Sequence, residues 1–124
     1  MTKNARIYLL ICLGAFGASF VVQTMFQRVL GGSMSVWGGN AGWQREIAFW
    51  NVGATVIVVQ LLKLNNQRFT MAAIKGFTVL FLLLGLNHLH ALFIDPAAQF
   101  HWPPMILNLL GFFFGAKLLY ERGE

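Results

Sequence analysis

The sequence predicts an all-α fold, an integral membrane four-helix bundle with both termini in the cytoplasm (N-in/C-in). Of its 124 residues, 57% are hydrophobic and only 10% are charged, so the chain has too few charges to solvate the surface of a soluble protein of this size. Four apolar runs of about 17–24 residues can each cross a hydrocarbon core of about 30 Å. We therefore expect a single transmembrane domain that covers residues 1–124.

The first predicted span covers about residues 7–26 and follows the basic residues Lys3 and Arg6. A secretory signal peptide also begins with basic residues, but its apolar region is shorter, roughly 7–15 residues. A retained helix is therefore the favoured interpretation. Small residues between positions 14 and 19 predict that this helix approaches a neighbouring helix closely.

A Gly-rich connection, residues 29–43, leads to the second predicted span, which covers about residues 46–64. Because tryptophan favours the membrane interface, Trp37 and Trp43 predict that this connection lies on the membrane surface. A short polar turn at residues 65–68 then leads to the third span, about residues 71–94.

Proline marks both ends of the last connection. Asp95-Pro96 ends the third span, because proline lacks an amide hydrogen and disfavours helix for the residue before it. Pro103-Pro104 opens the fourth span, about residues 104–120, where the missing donor costs little in the first turn of a helix.

The basic residues predict the orientation in the membrane. In a chain with four spans, the N-terminus, the second connection and the C-terminus lie on one side, and seven of the nine basic residues fall there. Only Arg28 and Arg45 fall on the opposite side. Because basic residues concentrate on the cytoplasmic side, both termini are predicted to be cytoplasmic.

Polar residues of all four spans fall at similar depth in the outer half of the predicted bundle, at a rise of about 1.5 Å per residue. These candidates for a polar layer or a ligand-binding site are Gln23, Arg45, Glu46, Asn51, Asn87, His88, His90 and Asn108. Polar side chains inside a membrane are costly, so each needs a partner or a function.

The helical spacing predicts some of the partners within this layer. Asn87 and His90 are three residues apart and should share a face. Asn108 should lie on the same stripe as Gly111 and Gly115, whose GxxxG spacing predicts close helix packing.

The charged residues at the start of the second span should also have partners. We expect Glu46 to bind His88 or His90, and Arg45 to bind Asp95 or a loop carbonyl, because charges near the interface are costly when unpaired.

Three interpretations of the polar layer remain open. The side chains could bind one another and fix the register of the helices, they could form a small-molecule or ion site, or they could bind a metal or haem. His88 and His90 point roughly 200° apart on a helix and cannot share one metal. His88 and Asp95 alone fall short of a typical ligand set. No metal and no cofactor are therefore predicted.

The sequence also argues against other classes of function. It has no paired carboxylates in the spans, no CxxC and no phosphate-binding Gly-rich loop, so an enzyme is not expected and no catalytic residue is assigned. The basic residues form no patch with interleaved aromatic residues, so nucleic acid is not an expected partner. The expected partners are the lipid bilayer and either a second copy of the chain or a larger membrane complex.

The stretch Gln44-Arg45-Glu46, followed by Phe49-Trp50-Asn51 and Gly53, resembles a motif of uncharacterised small bacterial four-span membrane proteins. These are broadly similar to the DoxX-like group. The likeness covers mainly the second span, with a looser echo at residues 85–90, and the Pro103-Pro104 region departs from it. The resemblance implies a bacterial inner-membrane protein and implies no activity.

The sequence therefore predicts a small non-enzymatic membrane protein, a structural or accessory membrane component with a polar layer in its outer half. The alternative is a transporter or channel that uses this layer as the site for a small ligand or an ion.

Overall fold

A computed structural model describes residues 1–26 and 35–121, and within these ranges the protein is all-helical. The four long helices are α1 (Lys3–Met25), α2 (Ala41–Leu64), α3 (Gln67–Ile94) and α4 (Trp102–Tyr120), with a 3-10 turn at Gln99–His101 before α4. All four segments are long and apolar enough to cross a membrane. Arg28, residues 29–34 of the predicted Gly-rich connection and the C-terminal Arg122 lie outside the described residues.

Each helix begins before the predicted span, at residues 3, 41, 67 and 102 and not near 7, 46, 71 and 104. The predicted spans follow the apolar runs, and a polar first turn does not lengthen such a run. A capping side chain can nevertheless start the helix in that polar turn. Thr2, Asn40 and Asn66 act as N-caps. Asn40 Oδ1 accepts from the amides of Gly42 and Trp43 at 3.0 and 3.1 Å, so Trp43 belongs to α2 and not to the connection.

The ends of the bundle follow from contacts between the connections. The Met1 amino group lies 3.3 Å from the Asn65 carbonyl oxygen, and the Thr2 amide donates to Gln67 Oε1 at 2.9 Å. The N-terminus therefore lies beside the α2–α3 turn. Thr2 and Glu121 line one surface depression, which places the end of α4 there too. We call this end the terminal end, and the other the loop end.

Helix α1 is the centre of the packing. Tyr8 is fully buried, and its ring meets Phe81 of α3 and Phe114 of α4 edge to face, with ring centroids 6.3 and 5.6 Å apart. Helix α3 packs along α4, while α2 packs mainly along α1. Only Ala48, Val58 and Leu61 of α2 are buried.

Glycines bring α3 and α4 close together. A Cβ atom at Gly111 would lie 2.8 Å from the Phe81 ring, and one at Gly85 would lie 2.9 Å from Leu109. Gly115 faces Thr78 and the Tyr8 hydroxyl, so α1 joins this contact. Small residues allow such approach where no hydrophobic effect drives helices together.

Large apolar side chains cover much of the outside of the bundle. In each span, at most 28% of an apolar stretch of 18 residues is buried. Large hydrophobic side chains are exposed on every helix. A soluble monomer rarely exposes apolar patches of this extent. The described residues thus have the surface of a multi-pass membrane protein.

Candidate functional site: a histidine pair at the loop end

The site is built around His101, whose side chain is 2% exposed. The short connection after α3 positions it. Asp95 Oδ1 accepts from the Ala97 amide at 2.9 Å, and the His101 amide donates to the Ala98 carbonyl at 3.1 Å. Because this compact turn leads directly into α4, the His101 ring is held at the start of that helix, against α3.

His88 of α3 is the partner of His101. The two Nδ1 atoms lie 3.1 Å apart, within hydrogen-bonding distance. His88 is half-buried and continues the inward stripe of α3 formed by Ile74, Thr78, Phe81 and Gly85. Its side chain is therefore directed to the cluster by the same face of the helix that packs against α1 and α4.

The hydrogen bonds assign the proton on each ring. His101 Nε2 lies 3.4 Å from the Val36 amide nitrogen, which can only donate. Nε2 is then an acceptor, so a neutral His101 carries its proton on Nδ1 and donates to His88 Nδ1. His88 in turn carries its proton on Nε2.

Residues 35–37 of the α1–α2 connection close over the pair. Ser35 Oγ lies 3.4 Å from His101 Nε2, and with this nitrogen as acceptor the hydroxyl donates. The Trp37 ring contacts both imidazoles, edge to face with His101 and tilted to His88, with ring centroids 4.4 and 4.9 Å apart. We call His88, His101, Ser35 and Trp37 the histidine clamp, because together they join the α1–α2 connection to α3 and to the start of α4.

The chemistry open to this arrangement is limited. The two imidazoles share one hydrogen bond, and no group of three or more His, Cys, Asp or Glu side chains able to hold a metal occurs within residues 1–26 and 35–121. Two imidazoles alone fall short of the usual three or four protein ligands. The clamp is suited to holding three segments together through hydrogen bonds between protein groups.

Other predicted layer residues form separate small contacts. Asn51 Nδ2 donates to Ser19 Oγ at 2.9 Å and to the Ile47 carbonyl at 3.0 Å, which ties α2 to α1. Asn108 Nδ2 donates to the Pro104 carbonyl of its own helix at 2.7 Å. Gln23 is half-buried near the end of α1.

The structure does not bring Asn87 and His90 into the clamp. Both side chains are exposed, so the face that Asn87 and His90 share points away from the clamp and not into the predicted polar layer. The buried stripe of α3 passes through His88, and a residue two positions further along a helix points roughly 200° away. His90 therefore faces outward, and Asn87 lies beside the stripe.

Arg45 and Glu46 are also exposed. In the part of the chain that the structure describes, neither makes an ion pair or a side-chain hydrogen bond, so the expected bonds to His88, His90 and Asp95 are not formed. Asp95 caps its own turn, as described above. The physical reason lies in α2, whose buried face runs through Ala48, Val58 and Leu61 and turns both charges away from α3.

An open groove marks this outward face of α2. Its volume is about 530 Å³. The residues that line it all belong to α2 and are Glu46, Phe49, Trp50, Gly53, Ala54 and Ile57. The groove thus lies on the outside of the bundle, away from the histidine clamp.

Sequence reasoning missed His101, Ser35 and Trp37 as members of one cluster. One signal was present, because His88 precedes the end of α3 by two turns and His101 precedes Pro103-Pro104, so both fall at the loop end. The inward direction of His101 depends on the 3-10 turn, which no periodic pattern reveals.

No protein-family model, curated protein or solved structure matches the chain.

Proposed function

We propose that the protein is a small non-enzymatic membrane component with a structural or accessory role, and that the histidine clamp holds the loop end of its bundle together. The observation that supports this role is the pairing of His101 and Asn51 with other groups of the protein. His101 uses both ring nitrogens on protein partners, and Asn51 also bonds to protein atoms. Polar groups used in this way fix the register of helices.

The alternative, a transporter or channel, needs a cavity that reaches the polar residues between the helices. The open groove lies elsewhere, on the outside of α2, and the depression lined by Thr2 and Glu121 lies at the terminal end. Both imidazoles also contact the Trp37 ring, so the pair is packed against a protein side chain. These features favour the structural role over ligand passage.

The proposed location is a bacterial inner membrane with both termini in the cytoplasm. The seven-to-two distribution of basic residues supports the orientation. The resemblance of residues 44–53 to small bacterial four-span proteins supports the compartment. The proposed partners are lipid and another membrane protein chain, without nucleic acid.

Native mass spectrometry of the gently extracted protein tests the proposal. We expect the wild type to carry lipid adducts only, and His101→Phe to show the same adducts but to unfold at lower collision energy. His90→Phe is the matched control, because His90 is exposed and outside the clamp. A stoichiometric small molecule or metal ion that His101→Phe loses and His90→Phe retains would identify a ligand site and contradict the structural role.

A further inference from the structure

Helix α2 lacks the neighbours that the other helices have. It packs mainly along α1. Only 17% of its apolar 18-residue stretch is buried, which is the lowest buried share among the four spans. The opposite face carries the open groove at Gly53, beside which Trp50 is 81% exposed and Phe49 is 64% exposed. Within residues 1–26 and 35–121, one long face of α2 is therefore open to another helix.

This face carries charges as well as apolar side chains. Arg45 and Glu46 lie at its loop end, and both are exposed. Phe49 follows Arg45 by four residues and Glu46 by three, so on the helix surface it lies between them and one turn away. The face thus has an aromatic centre with a positive charge on one flank and a negative charge on the other.

Such a face is complementary to itself. Two copies inserted in the same direction can be related by a two-fold axis along the membrane normal, which brings the same patch of each copy together. In parallel helix pairs, one flank of each helix faces the opposite flank of its partner, as the e and g positions do in a coiled coil. Arg45 of each copy would then face Glu46 of the other at nearly the same depth.

We propose that the outward face of α2 pairs with the same face of a second copy, with Phe49 and Gly53 at the two-fold axis and Arg45 and Glu46 in reciprocal ion pairs. This pairing rests on the structural role proposed above and specifies its partner. In such a dimer the two opposite charges of each copy find matched partners at the same depth. Gly53 lets the two helices approach closely at the centre.

Disulfide cross-linking in native membranes tests the pairing. Gly53→Cys in a Cys12→Ala background is the reporter, because a Cβ atom at Gly53 meets nothing within 4 Å and the change should not disturb the monomer. A disulfide forms where Cα atoms approach to roughly 4.4–6.8 Å, as expected for residues at a two-fold axis.

Phe113→Cys in the same background is the matched control. Gly53 lies 12 residues after the start of α2 (53 − 41), and Phe113 lies 11 residues after the start of α4 (113 − 102), so both have similar depth. Phe113 is 63% exposed. We expect a covalent dimer several times more abundant for Gly53→Cys. Equal yields at the two positions would overturn the proposal.

Charge exchange tests the ion pairs. With the Gly53→Cys reporter, Arg45→Glu or Glu46→Arg alone brings like charges together and should lower the dimer yield severalfold. The double variant, Arg45→Glu with Glu46→Arg, restores opposite charges and should restore the yield. Single variants without effect, or a double variant that stays as low as the single ones, would overturn the reciprocal pairing.

The two proposals fail in different ways. A ligand adduct that depends on His101 contradicts the structural role, whatever the cross-linking shows. Absent cross-linking at Gly53 with lipid adducts only contradicts the pairing of two copies and leaves the structural role in place.

Discussion

At the scale of single residues, His101 supports the loop end because its ring, at the start of α4, bonds to two other segments. Nε2 accepts from the Val36 amide, and the opposite ring nitrogen bonds to His88. A carboxamide or a hydroxyl has a different reach and cannot repeat both bonds at these positions. His101 therefore combines the shape and the donor-acceptor pattern that this turn requires.

We predict that His101→Ala lowers the stability of the protein in detergent. The change removes the acceptor of the Val36 amide and the partner of His88, and a buried polar group left without a partner costs about 1–3 kcal/mol. Thermal unfolding followed by circular dichroism measures the effect. His90→Ala should melt like the wild type, and equal melting of both variants and the wild type would contradict the clamp.

At the scale of helices, the closest packing lies where α1, α3 and α4 meet. Gly115 faces Thr78, whose hydroxyl donates to the Ile74 carbonyl at 2.7 Å, and it also faces the Tyr8 hydroxyl. Thr78 is β-branched, so its side chain has little freedom to move away from a new neighbour. The position thus requires a residue without a side chain.

We predict that Gly115→Ala destabilises the protein. Its Cβ atom would lie 2.9 Å from the Tyr8 hydroxyl oxygen and closer still to Thr78, and overpacking of this kind typically costs about 1–3 kcal/mol. The melting temperature in detergent again gives the measurement. Gly76→Ala in α3 is the control, since nothing lies within 4 Å of its Cβ position and alanine favours helix. A Gly115→Ala variant as stable as Gly76→Ala would contradict this packing.

The four helices could be predicted from the sequence because apolar runs of membrane length are a strong signal. Their first turns could not, since Asn40 and Asn66 start helices through side-chain caps that hydropathy does not register. The histidine pair was also beyond prediction. His88 and His90 point in different directions, and only the packed stripe of Ile74, Thr78 and Phe81 decides which one turns inward.

At the scale of the whole molecule, the connections place the histidine clamp opposite the terminal end. The Met1 amino group contacts the α2–α3 turn, whereas residues 35 and 36 contact His101. A chain that crosses the membrane four times therefore exposes the terminal end on one side and the clamp on the other. The seven-to-two basic distribution predicts that the terminal end is cytoplasmic.

Cysteine accessibility in intact cells tests this arrangement most directly. Two variants are made in a Cys12→Ala background, Gly39→Cys at the loop end and Asn66→Cys in the α2–α3 turn, both at exposed positions. We predict that a membrane-impermeant thiol reagent labels Gly39→Cys in intact cells and labels Asn66→Cys only after the membrane is permeabilised. Labelling of both positions in intact cells, or of Asn66→Cys alone, would contradict a four-span bundle that carries its histidine clamp on the side opposite two cytoplasmic termini.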